Sequence, residues 1–278
     1  MAHLAYTFTT SSSEHNDQLI GWLQVYQFNG FLEQENALIA YANEADFDEM
    51  NFTAFAAQQN LTFTKSIIQN ENWNAIWESS FDPIEVPYLH TEEIFASIRA
   101  EFHPKQNQAT FDLIITPKMS FGTGHHPTTF QMVQEMSHLQ FSGKKVIDYG
   151  TGTGVLAILA EKLGAQEIEA IDYDQLCYDN TLENIEANHC HKITTILSEH
   201  CKTENEPADV LLANINLNVI IAELNNMLHS TKPGAVLLFS GILKENQAII
   251  YDALEQHHFQ NIQIKSKENW LLISCIRP

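Results

Sequence analysis

Basic residues are scarce in this sequence. The chain of 278 residues has 14 lysines and arginines against 35 aspartates and glutamates, which gives a formal net charge of −21 at pH 7. Nucleic acids and anionic membranes bind proteins mainly through clustered basic side chains, so direct binding to either is not expected. The acidic balance fits a basic partner, and it fits a solvated acidic surface equally well.

Long apolar runs and a leader sequence are missing as well. No apolar run reaches the roughly 18 residues that a membrane-spanning helix needs. The first six residues lack the basic stretch and apolar core of a signal peptide. There is no C-x-x-C pair, and without a secretory signal the cysteines are expected to be reduced thiols in a cytoplasmic protein. The four cysteines are Cys177, Cys190, Cys201 and Cys275.

No set of residues has the spacing of metal ligands. His125 and His126 are adjacent, but neighbouring side chains diverge, and no further cysteine or histidine stands at ligand spacing around them. His189-Cys190-His191 and His200-Cys201 flank a predicted strand at its loop ends, where structural or surface roles are favoured. We therefore expect no metal site.

The most informative stretch is a strand followed by a glycine turn and a helix. The segment 145–148 reads as a buried strand, and a helix is predicted from Val155 to about Lys162. Between them stand Gly150, Gly152 and Gly154, whose missing Cβ atoms let a tight turn lie against a ligand. The helix that follows points its N-terminal amides at that ligand.

A second parallel strand, 167–172, ends in Asp172, which follows Gly150 by 22 residues. In nucleotide-binding α/β folds an acidic residue at this place holds a ribose diol. The third glycine of the dinucleotide fingerprint would fall at Val155, which argues against NAD. The pattern G-x-G-x-G with Asp148 ahead of it instead resembles motif I of class I S-adenosylmethionine-dependent methyltransferases.

The first 69 residues have a pattern of their own. Their predicted order is β-α-β-β-α-β, which is that of a ferredoxin-like sandwich, and Asp46 is a candidate cap for a helix over 47–59. No catalytic set appears in them, so a substrate-recognition role is expected. A linker with a short helix follows over 70–89, and Pro83 and Pro87 make its end loop-like.

The rest of the chain, 90–278, alternates strands and helices in the manner of a doubly wound, Rossmann-like sheet. The last two predicted strands form a hairpin with polar residues 265–269 between them, so a seven-stranded sheet with an antiparallel end is expected. The predicted strands are 94–102, 110–115, 192–197, 208–215, 235–240, 259–264 and 270–276, and the predicted helices are 175–188, 219–229 and 245–257.

Asn214 stands at the carboxyl end of the strand expected beside the glycine turn. Methyl transfer from a sulfonium is an in-line displacement, which requires a nucleophile held opposite the sulfur. The amide oxygen of Asn214 is suited to accept a hydrogen bond from an amine and to aim its lone pair, although an ordinary polar strand end would look the same. No general base is apparent.

Several segments together resemble the bacterial ribosomal protein L-eleven methyltransferases, the PrmA family. The signature is F-G-T-G-x-H-P-T-T, here with His125 where the family usually has threonine. Thr151 stands where many methyltransferases have cysteine. The matching segments are 72–77, 121–129, 146–154, 170–174, 210–215 and 240–243.

The resemblance implies an α/β enzyme that methylates lysine and N-terminal amines of a basic ribosomal large-subunit protein. It assigns Asn214 and Phe121 to catalysis. It places S-adenosylmethionine against Thr129, Gly150, Asp172 and Asn214, and the glycine turn adds Gly152 and Gly154 to the expected cofactor contacts. The alternatives are a methyltransferase acting on another protein or a small amine, a non-catalytic cofactor-binding adaptor, and an NAD(P)-dependent oxidoreductase.

Overall fold

A computed structural model describes residues 3–10, 13–28, 30–34, 37–43, 47–59, 61–68, 82–116, 122, 124–203 and 205–278. The chain divides into two compact units, Met1–Ser79 and Ser80–Pro278. The predicted linker helix lies outside the described residues. Among the described residues, no helix has the length and apolar character needed to span a membrane.

The N-terminal unit follows the expected β-α-β-β-α-β order. Its sheet has the strand order β2-β3-β1-β4 with antiparallel neighbours, as in a ferredoxin-like sandwich. The elements are β1 (His3–Thr9), α1 (Ser13–Val25), β2 (Gly30–Gln34), β3 (Ala37–Asn43), α2 (Glu49–Gln58) and β4 (Phe63–Ile68).

Aromatic side chains fill the core of this unit. Tyr6 and Phe52 are both inaccessible to solvent and meet edge to face with ring centroids 5.2 Å apart. The predicted cap was wrong, because α2 begins later than expected and Asp48, not Asp46, caps it. The Asp48 side chain accepts a 3.1 Å hydrogen bond from the main-chain N–H of Asn51, which satisfies a free donor of the first turn.

The second unit opens with a three-stranded sheet, in the order β5-β6-β7. Its strands are β5 (Ile84–Pro87), β6 (Ile94–Arg99) and β7 (Phe111–Ile114). The prediction of a loop over residues 81–89 was therefore wrong at β5. Proline is tolerated there because β5 is an edge strand, and its pairing with β6 is irregular between Val86 and Pro87.

Side-chain amides cover the free edge of β7. Asn188 Oδ1 accepts from the N–H of Ile114 at 3.0 Å, and its Nδ2 donates to the Ile114 carbonyl at 2.6 Å. Asn184 Oδ1 accepts from the N–H of Thr116 at 2.8 Å. Asn184 near the end of the helix Gln175–Ala187 and Asn188 just after it thus take the place of a neighbouring strand.

The large sheet has seven strands in the order β10-β9-β8-β11-β12-β14-β13, and β14 runs antiparallel to both of its neighbours. This confirms the doubly wound fold and its antiparallel end. The strands are β8 (Lys145–Tyr149), β9 (Glu167–Asp172), β10 (Ile193–Leu197), β11 (Ala208–Asn214), β12 (Thr231–Leu243), β13 (Gln260–Lys267) and β14 (Trp270–Ile276).

Helices cover both faces of this sheet. Apolar residues of α3, α4 and α5 pack on the face that includes Val146, and those of α6 and α7 pack on the face that includes Ile147. All five residues of β8 are therefore buried, including the charged Lys145 and Asp148. The helices are α3 (Pro127–Met136), α4 (Val155–Lys162), α5 (Gln175–Ala187), α6 (Leu217–His229) and α7 (Gln247–Gln256).

Several predicted boundaries in this unit were wrong, among them the end of β6, which is Arg99 and not residue 102. Strand β12 begins at Thr231 and contains Pro233-Gly234, because Gly234 has a positive φ of 79° and its N–H donates to Arg277. The final helix begins later than predicted, after a 3-10 turn at Lys244–Asn246. The polar residues Lys265–Lys267 belong to β13, an edge strand whose exposed face accepts them.

Candidate active site

A cavity of about 580 Å³ opens at the carboxyl edge of the large sheet. Its walls come from the ends of β8, β9 and β11, from the start of α5, and from the bulge in β12. Ligands of open α/β sheets bind at this edge, at the topological switch point, where strands that follow one another in the chain lie on opposite sides of the first strand. Here β8 lies between β9 and β11, so the switch point falls at the glycine turn.

Two glycines bring main chain close together at the floor of the cavity. Gly150 and Gly241 have positive φ angles of 73° and 84°. A Cβ at Gly150 would collide with the Ile215 side chain, and one at Gly241 would collide with the Ile215 carbonyl. Neither position tolerates a side chain, so the surface left for a ligand is main chain. Gly152 lines the same cavity.

Gly154 has a different place from the other two glycines of the turn. It caps α4 at a φ of 80°, and a Cβ there would press on Thr181. The cavity lining contains Gly150 and Gly152 but not Gly154. Its cofactor contact stays a prediction, and its evident task is to let α4 begin close to α5.

Asp172 lies on the cavity wall at the tip of β9 and is 6% exposed. Its Oδ2 accepts a 2.9 Å hydrogen bond from the N–H of Gly152, and its Oδ1 accepts one of 3.1 Å from Asp174. A carboxylate offers about four lone-pair positions, so two acceptor positions remain for a diol.

Asp148, two residues before the turn, is buried away from the cavity. Its Oδ2 accepts from Thr151 Oγ1 at 2.7 Å and from the N–H of Ala157 at 3.1 Å. Its Oδ1 has no hydrogen-bond partner among the described residues. Burial raises the pKa of this carboxyl to about 7. Asp148 therefore fastens the turn to α4 rather than contacting a ligand.

Asn214 ends β11 and lines the cavity, as predicted from the strand order. Its Nδ2 donates a 3.2 Å hydrogen bond to Oγ1 of Thr129. Its Oδ1 is buried and has no partner in the part of the chain that the structure describes. A buried, unsatisfied acceptor is costly, so this oxygen is a candidate to receive a hydrogen bond from a ligand.

Thr129 is placed behind Asn214. It lies in the first turn of α3, is inaccessible to solvent and is not among the residues that line the cavity. Phe121, the other predicted catalytic residue, falls outside the described residues. Gly122 beside it accepts a 2.9 Å hydrogen bond from Thr153 Oγ1, which ties the signature loop to the glycine turn.

An aromatic wall at the other end of the cavity was not predicted. Trp270 and His126 line it and meet edge to face with ring centroids 4.7 Å apart. The sequence did hold a signal for Trp270. It begins β14, and an antiparallel strand starts at the edge where its parallel neighbours end. Asn214 stands between Asp172 and Trp270 along that edge, because β8 separates β11 from β9 and β12 separates it from β14.

The other candidate groups are not assembled into a centre. Among the described residues no three His, Cys, Asp or Glu side chains are placed to hold a metal ion. His200 pairs with Glu223 at 3.0 Å, and Glu223 also accepts from the N–H of Cys201. Burial raises the pKa of the Cys201 thiol, so this cluster is structural.

The seven-stranded sheet with its glycine turn, acidic strand tip and strand-end asparagine defines a class I methyltransferase fold. A solved structure, the ribosomal protein L11 methylase from Lactobacillus delbrueckii subsp. bulgaricus, supports this at a TM-score of 0.60. It covers 70% of this chain and 99% of its own at 23% identity.

Sequence comparison gives the family. The model for ribosomal protein L11 methyltransferase (PrmA) matches residues 4–278. The ribosomal protein L11 methyltransferase of Phocaeicola vulgatus is 32% identical over 285 residues, 99% of each chain. That of Chlorobaculum tepidum is 34% identical over 252 residues, 87% of this chain and 85% of its own. The chain belongs to the ribosomal protein L11 methyltransferase (PrmA) family, whose methyl donor is S-adenosylmethionine.

Proposed function

We propose that this protein transfers methyl groups from S-adenosylmethionine to lysine and N-terminal amines of ribosomal protein L11. The observation that carries this proposal is Asn214, a residue of the cavity wall whose Oδ1 is buried and has no hydrogen-bond partner among the described residues. An acceptor in that place is what an amine nucleophile requires. The names of the curated relatives supply the protein substrate.

The cavity fits the methyl donor. Asp172 keeps acceptor positions for the two ribose hydroxyls, and its side chain is held by the same glycine turn that forms the floor. Gly150 and Gly241 leave main chain bare where a Cβ would collide with Ile215. When bound, S-adenosylmethionine supplies an electrophilic methyl group attached to a sulfonium.

The residues of this chain have three tasks in the transfer. Asn214 accepts an N–H hydrogen bond from the amine and so directs the nitrogen lone pair along the axis of displacement. The apolar walls at Ile215, Val219 and Trp270 exclude water and favour the neutral amine. Since an amide oxygen is not basic, Asn214 only orients the amine. The methylated product is an ammonium, which releases its proton to bulk water after it leaves the cavity.

We infer further that the N-terminal unit recognises the protein substrate and that the recognised surface is basic. Residues 1–79 contain ten acidic residues and a single basic one, Lys65, which gives a formal charge of −9. Lys65 is itself paired with Glu49. Such a unit attracts a basic protein over long range, an effect that salt weakens.

Methylation of a ribosomal protein mixture tests the proposal. The purified enzyme is incubated with the mixture and labelled S-adenosylmethionine, and mass spectrometry locates the label. Label on lysine and N-terminal amines of L11 is the expected result. Label confined to another protein or to small amines would overturn the substrate assignment, and tight cofactor binding without any transfer would favour an adaptor.

The Asn214→Ala variant tests the observation on which the proposal depends. Its single-turnover rate should fall by about 100-fold or more, while its affinity for S-adenosylmethionine changes much less, because its main contact is with the amine. Equal losses in both quantities would make Asn214 a cofactor contact only. The matched control is Asn205→Ala, a change of the same kind at a side chain bonded to Glu169 outside the cavity.

A further inference from the structure

The side chain of Tyr149 connects two strands that are not neighbours in the sheet. Tyr149 ends β8, is 5% exposed and lines the cavity. Its hydroxyl donates a 2.7 Å hydrogen bond to the main-chain carbonyl of Glu199, which follows the end of β10 by two residues. Because β9 lies between β8 and β10, this bond passes the tip of β9, where Asp172 stands.

The segment that receives this bond, residues 198–203, forms one wall of the cavity. Ser198 and Glu199 are lining residues. Further along the segment, the N–H of Cys201 donates a 2.9 Å hydrogen bond to the buried carboxylate of Glu223. That bond holds the far part of the segment, whereas the bond to the Glu199 carbonyl holds the part that lines the cavity.

The strand order indicates which part of the cofactor this wall meets. Asp172 at the tip of β9 is the proposed acceptor for the ribose hydroxyls, and Asn214, on the side of methyl transfer, ends β11. Strand β10 lies beyond β9, on the side away from β11. S-adenosylmethionine carries its base and its sulfonium on opposite sides of the ribose. A sulfonium directed toward Asn214 therefore places the base beside residues 198–203.

The Tyr149 hydroxyl is a lasting donor in a fixed place. Burial raises the pKa of its phenol, and the nearby charge of Glu223 raises it further, so the hydroxyl keeps its proton at neutral pH. The ring belongs to the apolar cluster on the α6 and α7 face of the sheet, together with Ile171 and Cys201. A side chain held by such packing is suited to fix the position of a neighbouring loop.

The geometry points to Tyr149 as a positioning residue that holds the wall 198–203 beside the base of S-adenosylmethionine. Its hydroxyl acts through Glu199 and takes no part in methyl transfer. This assignment rests on the methyl donor of the proposed function and does not depend on which amine is methylated. Because S-adenosylmethionine and S-adenosylhomocysteine share the adenosyl group, loss of the hydroxyl should weaken the binding of both and leave transfer by the saturated enzyme unchanged.

The test uses Tyr149→Phe, which keeps the ring and removes the hydroxyl. Calorimetry should give dissociation constants for S-adenosylmethionine and S-adenosylhomocysteine that both rise by about 3- to 10-fold, the loss typical of one neutral hydrogen bond. The KM for S-adenosylmethionine should rise by the same factor, while the single-turnover rate at saturating cofactor stays within about twofold of the parent. Unchanged affinities, or a lower rate at saturation with intact affinities, would overturn the proposal.

Tyr251→Phe is the matched control. Tyr251 lies on α7 away from the cavity lining, and its hydroxyl donates a 2.8 Å hydrogen bond to Glu255. The control therefore loses the same group and the same kind of bond, and it should leave both dissociation constants unchanged. An equal loss of cofactor affinity in the two variants would show general damage and overturn the positioning role.

A readout without cofactor examines the contact itself. The Glu199 carbonyl and the N–H of His200 belong to one peptide group, so loss of the bond to the carbonyl should shift the main-chain amide signal of His200 in a ¹⁵N NMR spectrum. The shift should appear in Tyr149→Phe and be absent in Tyr251→Phe, and an unshifted signal in Tyr149→Phe would overturn the proposal. A parent enzyme that binds S-adenosylmethionine and methylates no amine would overturn the proposed function alone, since the affinities and the His200 signal still decide the role of Tyr149.

Discussion

The Asp172 carboxylate accepts a 2.9 Å hydrogen bond from the main-chain N–H of Gly152, so the tip of β9 and the turn after β8 form one bonded unit. The acid thereby fixes the floor of the cavity as well as presenting its own oxygens. Replacing Asp172 is therefore expected to weaken cofactor binding in two ways, by removing the carboxylate oxygens and by releasing the floor of the cavity.

Asp172→Ala should weaken the binding of S-adenosylmethionine by about 10- to 100-fold, since hydrogen bonds to a charged acceptor contribute roughly 1.5–3 kcal/mol. Calorimetry measures this directly. Asp209→Ala is the matched control, because Asp209 lies at the opposite end of the sheet, where it pairs with Lys232. Unchanged affinity in Asp172→Ala, or tight binding of NAD to the parent, would contradict the assignment.

Gly241→Ala should destabilise the fold by about 3 kcal/mol or more, because the new Cβ meets the Ile215 carbonyl and cannot be moved aside cheaply. Gly234→Ala is the control. It has a similar φ of 79° but nothing near the added Cβ, so it should cost only about 1–2 kcal/mol of backbone strain. Urea denaturation compares the two, and equal losses would show that the contact with Ile215 is unimportant.

Asp148→Asn should change how stability depends on pH. The carboxyl has a pKa of about 7 in the folded protein and an ordinary value near 3.8 when unfolded, so the folded state holds a proton that the unfolded state releases. Its contribution is fully present below about pH 4 and is lost as pH rises toward 7. The side chain of the Asn variant imitates the neutral acid at every pH. The free energy of unfolding of this variant should therefore rise relative to that of the parent as the pH rises from 4 to 7.

Asp209→Asn is a control of opposite sign for this pH experiment. Burial opposes ionisation of Asp209, but the N–H of Lys145 and the ammonium of Lys232 hold its pKa below the ordinary value. The stability that the Asp209 carboxylate contributes is therefore present above its ordinary pKa of 3.8 and is lost in more acidic solution. In melting curves from pH 2 to 8, Asp148→Asn should gain stability relative to the parent between about pH 4 and 7, whereas the difference between Asp209→Asn and the parent should change only below about pH 4. Parallel curves for Asp148→Asn and the parent would sink the prediction.

Cys177 should react first with a thiol reagent. It is half-buried on the cavity wall, whereas Cys190, Cys201 and Cys275 are buried. Burial raises the pKa of Cys190 to about 11 and raises those of the other two as well, which removes the reactive thiolate. Peptide mapping after brief N-ethylmaleimide treatment should find label at Cys177, and S-adenosylhomocysteine should slow it. Equal labelling of Cys190 would contradict this order.

Features governed by local pattern were predictable from sequence. The glycine turn directly follows a buried strand. The strands that end in Asp172 and Asn214 are each an apolar run followed by a polar residue. Because parallel strands share an edge, the convergence of Asp172 and Asn214 followed from the strand order alone.

Features that depend on a distant partner were not predictable. Strand β5 is short and lies between Pro83 and its own last residue, Pro87, and it is a strand because it pairs with β6. The family signature contains Thr129, but its contact is with an amide 85 positions away in the chain. The aromatic pair of His126 and Trp270 likewise requires the antiparallel return of β14, and no local pattern marks the two side chains as neighbours.

Asn184, one of the two asparagines at the edge of β7, also links Thr116 to the glycine turn. Asn184 receives the N–H of Thr116 and donates to the carbonyl of Thr153 at 2.8 Å, while Thr153 Oγ1 donates to the carbonyl of Gly122. Thr116 and Gly122 are thus bonded to one pair of side chains, those of Asn184 and Thr153. In hydrogen exchange, the amide of Thr116 should therefore open together with the C-terminal half of α5, as one cooperative unit, and not with the sheet that precedes it.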